Sequence, residues 1–227
     1  TTVNFHTFPG NQFFTAQRGD LTVSNSRTIA GDYRNVTVAS GGQLQMHNPF
    51  DVSGALTVQT GGSFAPGCGI PVTGSGSFSL AAGSILLAIC DPAGLTASGN
   101  TGAIRVSGTR SYSDDATYHF VGPNDGTPQV TGNGLPARVR SMVVASNGAA
   151  LGLSQALGIR RTLTLTQNLN TNGNALTLLS DANGTALINN DGGVVNGTGT
   201  MQRAITGTVT GPAYRHFSAP VSNTTVG

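Results

Sequence analysis

The chain of 227 residues contains only two cysteines, Cys68 and Cys90, which are 22 positions apart. The sequence around them repeats with the same offset. A shift of 22 residues places Gly54 on Gly76, Leu56 on Phe78, Val58 on Leu80, Gly61 on Gly83 and Phe64 on Leu86. The only two thiols therefore occupy equivalent positions of a repeat, where stacking of the repeats would bring them together.

Each copy of the repeat contains an alternating apolar segment, a glycine turn and a second short apolar segment. A third copy lies upstream with an offset of 20, in which Val36, Val38, Gly41, Gly42 and Leu44 map onto Leu56, Val58, Gly61, Gly62 and Phe64. Alternation with a period of two indicates strands, and repeats of this length indicate a solenoid in which one unit cannot bury its apolar face alone. The pattern predicts an all-β fold, a right-handed parallel β-helix or solenoid with about 20–22 residues per coil.

Stacked coils would bring the two cysteines within bonding distance. Neighbouring strands lie about 4.8 Å apart, and the Cα atoms of disulfides are usually about 4.4–6.8 Å apart. We therefore predict a Cys68–Cys90 disulfide between adjacent coils. The alternative is a pair of free, buried cysteines stacked in the core. No metal site is predicted here, because two cysteines without nearby histidines cannot fill a zinc shell.

The paired carboxylates Asp114 and Asp115 are the best candidate for acid–base chemistry. In a β-helix they invite comparison with pectin-degrading enzymes, whose acidic pairs activate water or hold calcium. Tyr112, Tyr118 and Phe120 flank the pair and could form a platform for a sugar. However, the chain has no lysine to complete such a site. The interpretation we favour is that the aspartates are solvated in a loop or cap a turn.

Composition excludes several classes of function. The chain has eleven arginines and nine aspartates but no lysine and no glutamate, so catalytic-lysine, Schiff-base and P-loop chemistry are excluded. A formal net charge of +2 gives no basis for binding nucleic acid or an anionic membrane. No apolar run approaches the length of a membrane span, so no insertion into a membrane is expected.

Three Asn- and Asp-rich turns, at 124–126, 181–184 and 189–193, could lend oxygen atoms to calcium, but none completes a known calcium loop. The histidines are scattered without the spacing of metal ligands. No cofactor and no metal site are predicted, and calcium stays open as an alternative. Thr162, Thr164 and Thr166 form a row that resembles the threonine rows of ice-binding proteins, so ice binding is a further alternative.

Residues 1–30 are irregular, and we expect their phenylalanines to cap the first coil. These are Phe5, Phe8, Phe13 and Phe14. Residues 31–227 contain no linker of low complexity and are predicted to form one continuous solenoid. We expect the chain to be a segment of a longer parent protein.

The second half of the chain resembles a known group of proteins. The segments that carry the resemblance are GTRSYSDDATYHFVG, the stretch from QVTGNGLPARVR to LNTNGNALTLL, and AYRHFSAPVS. They are similar to β-solenoid segments of large adhesin-like surface proteins of the Bacteroidota, which are secreted by the type IX route. The resemblance covers roughly residues 100–222. It implies an extracellular or cell-surface location.

These observations together predict a secreted, structural or adhesin-like β-solenoid segment of a surface or fibre-forming protein, without catalysis. A paired disulfide fits an extracellular location. The expected partners are neighbouring domains or copies of the same chain, joined end to end or through strand edges, and possible glycans. The alternative function is a β-helix that binds or cleaves carbohydrate.

Overall fold

The computed structural model of the chain describes residues 19–204, apart from the side chain of Ala30. These residues form twenty strands and no helix. The strands are β1 (Leu21–Val23), β2 (Ser26–Val38), β3 (Gln43–Val58), β4 (Ser63–Ala65), β5 (Val72–Thr73), β6 (Ser77–Leu80), β7 (Ile85–Ile89), β8 (Arg110–Tyr112), β9 (Thr117–Phe120), β10 (Gln129–Val130), β11 (Arg138–Val144), β12 (Leu151–Gly152), β13 (Leu157–Leu165), β14 (Leu169–Asn170), β15 (Leu176–Leu178), β16 (Ser180–Asp181), β17 (Gly184–Thr185), β18 (Leu187–Asn190), β19 (Val195–Asn196) and β20 (Gly199–Met201). The predicted all-β class is confirmed.

The strands stack into a β-solenoid of about eight turns with about 22 residues per turn. Among the named strands, only the β16–β17 hairpin pairs in antiparallel fashion. All other pairings between named strands in residues 19–204 are parallel and join strands of adjacent coils. Both the solenoid and its predicted period are confirmed.

Each coil passes through three faces, which we name A, B and C. Face A contains, in register, Leu44, Phe64, Leu86, Tyr118, Met142, Leu163 and Ile188. Face B contains Val36, Leu56, Phe78 and Arg110. Face C begins with Phe50 and Val72 and continues, further along the rod, with Gln129, Leu151, Leu169 and Val195. Apart from Ile188, which is exposed on the last coil, the apolar members of the three faces point inward and form one continuous core.

The register predicted from the repeats is observed. Leu56 pairs with Phe78, and Phe64 pairs with Leu86. Phe64 and Phe78 also contact each other across the core, with ring centroids 6.2 Å apart. The 22-residue offset thus corresponds to one turn of the solenoid, because it carries each inward side chain onto the equivalent position of the next coil.

The chain passes from face B to face A through a tight turn, which we name the B–A corner. In the first coils this turn contains Gly41, Gly61 and Gly83, with φ angles of 76°, 77° and 71°. The N–H of Gly41 donates to the carbonyl of Gly61, and the N–H of Gly61 donates to that of Gly83. Glycine is needed here because L-residues with a side chain rarely adopt this left-handed backbone conformation. The repeated glycines therefore build a stack of equivalent turns.

One coil is longer than its neighbours. Phe78 pairs with Arg110, 32 positions later, whereas the preceding offset is 22 positions. The additional residues belong to the segment 91–109, which leaves the coil after β7 and returns at β8. Within this loop Ile104 makes a single parallel bridge to Val72, which keeps the loop attached to face C.

The solenoid begins before the predicted boundary at residue 31. Strand β1 pairs in parallel with the second half of β2, from Leu21 opposite Val36 to Val23 opposite Val38. Residues 21–30 are therefore part of the coils, because the Leu-Thr-Val alternation of β1 already supplies an inward Val23. The phenylalanines of the predicted cap lie outside the described residues, as do residues 205–227 of the predicted solenoid.

Candidate functional site

The two cysteines form the predicted disulfide. The sulfur atoms of Cys68 and Cys90 are 2.04 Å apart and the Cα atoms are 5.3 Å apart. Cys90 is buried and Cys68 is exposed. The bond joins two adjacent coils close to the start of the 91–109 loop. The alternative of two free thiols is thereby excluded.

The predicted sugar platform is not formed by Tyr118 and Phe120. Both side chains are fully buried in face A, because they alternate inward along β9 while Thr117 and His119 point outward. The sequence interpretation overlooked that a period of two places both rings on the core side. Rings without an exposed face cannot stack on a ligand.

Tyr112 is also committed to packing. Its ring contacts Phe78, with centroids 5.5 Å apart, and its hydroxyl donates to the carbonyl of Thr96 at 3.4 Å. The Tyr118 hydroxyl donates to the carbonyl of Ser113 at 2.6 Å. Burial raises the pKa of both phenols above the ordinary tyrosine value. Neither phenol is therefore suited to proton transfer near neutral pH.

Asp114 and Asp115 lie at the B–A corner, directly after β8. The N–H of Gly83 donates to the carbonyl of Asp115 at 2.8 Å, which stacks this turn on the preceding glycine turn. The N–H of Asp115 donates to the hydroxyl of Ser113 at 3.1 Å. Both aspartates lie in the turn, and the side chain that bonds to the backbone of this turn is that of Ser113.

Both carboxylates face arginines from the following coils. Arg160 donates to the Asp114 carboxylate at 2.6 Å, and its other Nη atom is 3.8 Å from Asp115. Arg138 also approaches Asp114, at 3.8 Å. A carboxylate held by a guanidinium is stabilised in its charged form and has fewer lone pairs free for a substrate. The pair therefore serves as the acidic part of an ion-pair network between coils.

Two further arginines extend this network along the same corner. Arg140 lies in the same corner as Asp115, one coil later. The hydrogen bond from the Arg140 N–H to the carbonyl of Ala116 fixes this register. Arg161 follows Arg160 on the next coil and donates to the carbonyl of Asn183 at 3.1 Å. We name this group the charged corner. It comprises Asp114, Asp115, Arg138, Arg140, Arg160 and Arg161.

Sequence reasoning missed the charged corner because its members are far apart along the chain. The signal was present in the pairing offsets: β9 to β11 and β11 to β13 are separated by 24 and 21 positions, as in the pairs Tyr118–Met142 and Met142–Leu163. Each offset is the length of one coil, so it relates a corner to the corner of the next coil. These coils do not repeat in sequence, so their register could not be recognised from the sequence alone.

A second polar network holds the 91–109 loop. The Asp91 carboxylate accepts the N–H groups of Ala93 and Gly102 at 2.9 Å and 3.2 Å, and it accepts the Arg105 guanidinium at 2.7 Å. All of these partners lie within the loop or at its start. Asp91 therefore organises the loop, and its oxygen atoms are already occupied.

Arg110 is a buried cation at the end of the same loop. Its guanidinium donates to the Val106 carbonyl at 2.9 Å, to the Thr96 hydroxyl at 2.7 Å and to the carbonyl of Gly99. Desolvation lowers the pKa of Arg110 from its ordinary value. Among the described residues no carboxylate forms an ion pair with this side chain, so carbonyl and hydroxyl oxygens supply its solvation.

The three candidate calcium turns use their side-chain oxygens within the turn. Asp125 accepts the N–H of Thr127 at 3.0 Å, and Asp181 accepts the N–H of Asn183 at 2.7 Å. Asn190 accepts the N–H of Gly192 at 3.0 Å. These are the bonds that Asn and Asp make to the backbone two residues on. Across residues 19–204 no group of three or more metal-ligating side chains converges.

The threonine row of β13 is not continued on its neighbours. Thr162 lies between Ser141 and Leu187, and Thr164 lies between Val143 and Asn189. A different ladder of hydroxyl side chains occurs on the outside of face B. It consists of Thr22, Thr37, Thr57, Ser79 and Ser111, in register on successive coils.

Comparison with models of known protein families, with curated proteins and with solved structures gave no match. In the part of the chain that the structure describes, no helix is long and apolar enough to cross a membrane.

Proposed function

We propose that this chain is an extracellular, non-catalytic segment of an adhesin-like surface or fibre-forming protein, and that it works as a rod that joins end to end with copies of itself. The observation that carries the proposal is the stack of coils from Leu21 to Met201, whose last coil has strand edges without a partner within residues 19–204. A rod of this kind transmits load through backbone hydrogen bonds and displays its loops at fixed spacing.

The last described coil supports association through its end. Strands β18, β19 and β20 each pair on one edge only within residues 19–204. Leu187 and Val194 on this coil are 53% and 50% exposed. An open strand edge with exposed apolar side chains favours pairing with another chain. The first described strand, β1, likewise pairs on one edge only in this part of the chain and offers a complementary end.

Two further observations support the remaining parts of the proposal. The Cys68–Cys90 disulfide is compatible with an extracellular location, where such bonds persist. The guanidinium of Arg160 pairs with the carboxylates of Asp114 and Asp115, which are the best candidates for acid–base chemistry. This pairing supports a structural role for both aspartates.

The test is the association of the full chain, measured by sedimentation velocity over a wide concentration range and by electron microscopy. We expect rods that lengthen with concentration. Changing Leu187 and Val194 to aspartate introduces repulsion at the end of the rod and should weaken association by about tenfold or more. The matched control is Val130→Asp, because Val130 is also exposed but lies on the side of the rod, in face C.

Monodisperse monomers at all concentrations would contradict the proposed end-to-end assembly. Equal weakening by Val130→Asp would also contradict it, because the effect would then not come from the end coil. Turnover of a polysaccharide that is lost on changing Asp114 and Asp115 to asparagine would contradict the non-catalytic assignment.

A further inference from the structure

The charged corner contains more positive than negative groups. Asp114 and Asp115 are shared between Arg138 and Arg160. Within residues 19–204 no carboxylate lies within salt-bridge distance of Arg140 or Arg161. Both of these side chains are exposed. The Arg140 guanidinium, and the donors of Arg161 other than the Nη1 that binds the Asn183 carbonyl, are therefore available for an anion that the described part of the chain does not supply.

Arg140 and Arg161 lie at the same corner of neighbouring coils. Coils are separated by the strand spacing of about 4.8 Å. Arg140 reaches back along the rod: its Nη1 atom is 3.8 Å from the position that a Cβ would take at Gly83, two coils earlier. Gly61 and Gly83 carry no side chain at this corner, and the side chains nearest to their Cβ positions are those of Ser40 and Thr60.

We propose that the charged corner binds a linear anionic polysaccharide, with Arg140 and Arg161 contacting its carboxylate or sulfate groups. This inference rests on the proposed function, since it names what the surface rod attaches to. The planar fork of arginine matches a carboxylate or sulfate with two parallel hydrogen bonds. Arg140 reaches back along the rod and Arg161 reaches forward to Asn183, so the two groups can contact anionic groups on separate sugars of one extended chain.

A polysaccharide fits this surface better than a nucleic acid. Single-stranded nucleic acid is bound by aromatic rings on which bases stack, and the rings nearest the corner, Tyr112 and Tyr118, are engaged in the core. Strong binding to duplex DNA requires many neutralised phosphates, whereas the corner offers two unpaired cations. A few bidentate contacts to carboxylate or sulfate groups are consistent with this number.

The test measures binding of the full chain to polygalacturonate and to heparin at low and at physiological salt, with dextran as the neutral polymer. We expect binding to both anionic polymers, weakening as salt is raised, and none to dextran. Changing Arg140 and Arg161 to glutamine should weaken binding by about tenfold or more. The matched control, Arg27→Gln, removes an exposed arginine near the other end of the rod and should leave binding unchanged.

A second variant tests the same inference in the opposite direction. Changing Asp114 and Asp115 to asparagine removes the competing carboxylates and releases Arg138 and Arg160, so binding should become severalfold tighter. If these aspartates instead held the ligand, binding would be lost. Thermal unfolding of each variant, compared with the unchanged chain, shows whether a loss of binding comes from unfolding.

The inference is overturned by no binding at low salt, by equal weakening in Arg27→Gln, or by tighter binding to duplex DNA than to either polysaccharide. The proposed rod is tested separately, because sedimentation of the same preparations reports end-to-end association. If the chain forms rods but binds no glycan, only the glycan-binding inference is overturned. Glycan binding by a strict monomer supports the inference and contradicts the assembly.

Discussion

At the scale of single residues, burial decides which polar groups are free to act. Arg110 is surrounded by oxygens of Thr96, Gly99 and Val106 and fixes the 91–109 loop from inside. Arg140, with the same side chain, lies exposed on the B–A corner. A buried guanidinium must satisfy its donors within the fold, whereas an exposed one can exchange water for a ligand. We therefore assign a structural role to Arg110, whereas Arg140 is accessible for the binding role proposed above.

His119 should make stability depend on pH. Burial lowers its pKa below the ordinary value of 6.5. In the unfolded chain the imidazole takes up a proton at higher pH than in the folded chain, so acidification favours unfolding. The free energy of unfolding should therefore be constant above about pH 7 and should fall as the pH drops below about 6.5 toward the folded pKa. Urea titrations from about pH 7.5 to about pH 5 measure this change.

The control for His119 is a variant that cannot titrate in this range. His119→Gln should show a smaller loss of stability over the same pH interval, because Gln carries no proton equilibrium. An equal loss in the variant and in the unchanged chain would show that other groups cause the pH dependence. The comparison is made between slopes, so a uniform change in stability of the variant does not affect it.

At the scale of structural elements, the spacing between coils depends on glycines that have no room for a side chain. Gly76 follows the turn before β6, and a Cβ at this position would lie 2.4 Å from the carbonyl oxygen of Gly54 on the preceding coil. The next glycine of the column, Gly108, approaches the carbonyl of Gly76 equally closely. Three successive coils therefore meet through backbone alone.

Gly76→Ala should destabilise the protein by about 2–3 kcal/mol, because the new methyl group meets rigid backbone. Gly199→Ala is the matched control, since the nearest atom to its Cβ position is the Leu176 carbonyl oxygen at 3.9 Å. Thermal or urea unfolding of both variants measures the difference. Equal stability of the two variants would show that the coils can separate without cost at Gly76.

At the scale of the whole molecule, the solenoid should not be equally stable along its length. Each coil contacts only its two neighbours, so an end coil has half the support of an inner one. The inner coils at β4–β7 also contain the Cys68–Cys90 disulfide and the Phe64–Phe78 contact. The last described coil instead exposes Leu187 and Val194. Local opening is therefore expected to begin at the end coil.

Hydrogen exchange followed by mass spectrometry tests this expectation. Amides of β18–β20 should exchange faster than those of β4–β7, and reduction of the disulfide should accelerate exchange mainly in β4–β7. Uniform protection along the rod would indicate that the described coils unfold as a single cooperative unit. End-to-end association should slow exchange in β18, which links this measurement to the proposed assembly.

Much of the fold was predictable from local sequence. The pairs Leu56–Phe78 and Phe64–Leu86 follow from the 22-residue offset, and the Cys68–Cys90 disulfide follows from the same offset together with the strand spacing. The candidate site was less predictable. The carboxylates were found, but their partners Arg138 and Arg160 lie one and two coils away, where the sequence no longer repeats.

The sequence by itself determined the period, the inward and outward alternation of each strand and the partner of each cysteine, because these follow from local spacing and from the geometry of stacked strands. Only the tertiary structure decided which polar groups meet. It buried Tyr118 and Phe120, tied Asp114 to Arg160 and left Arg140 exposed. The physical reason is that side chains at a corner interact across coils, and their neighbours depend on the exact length of every loop between them.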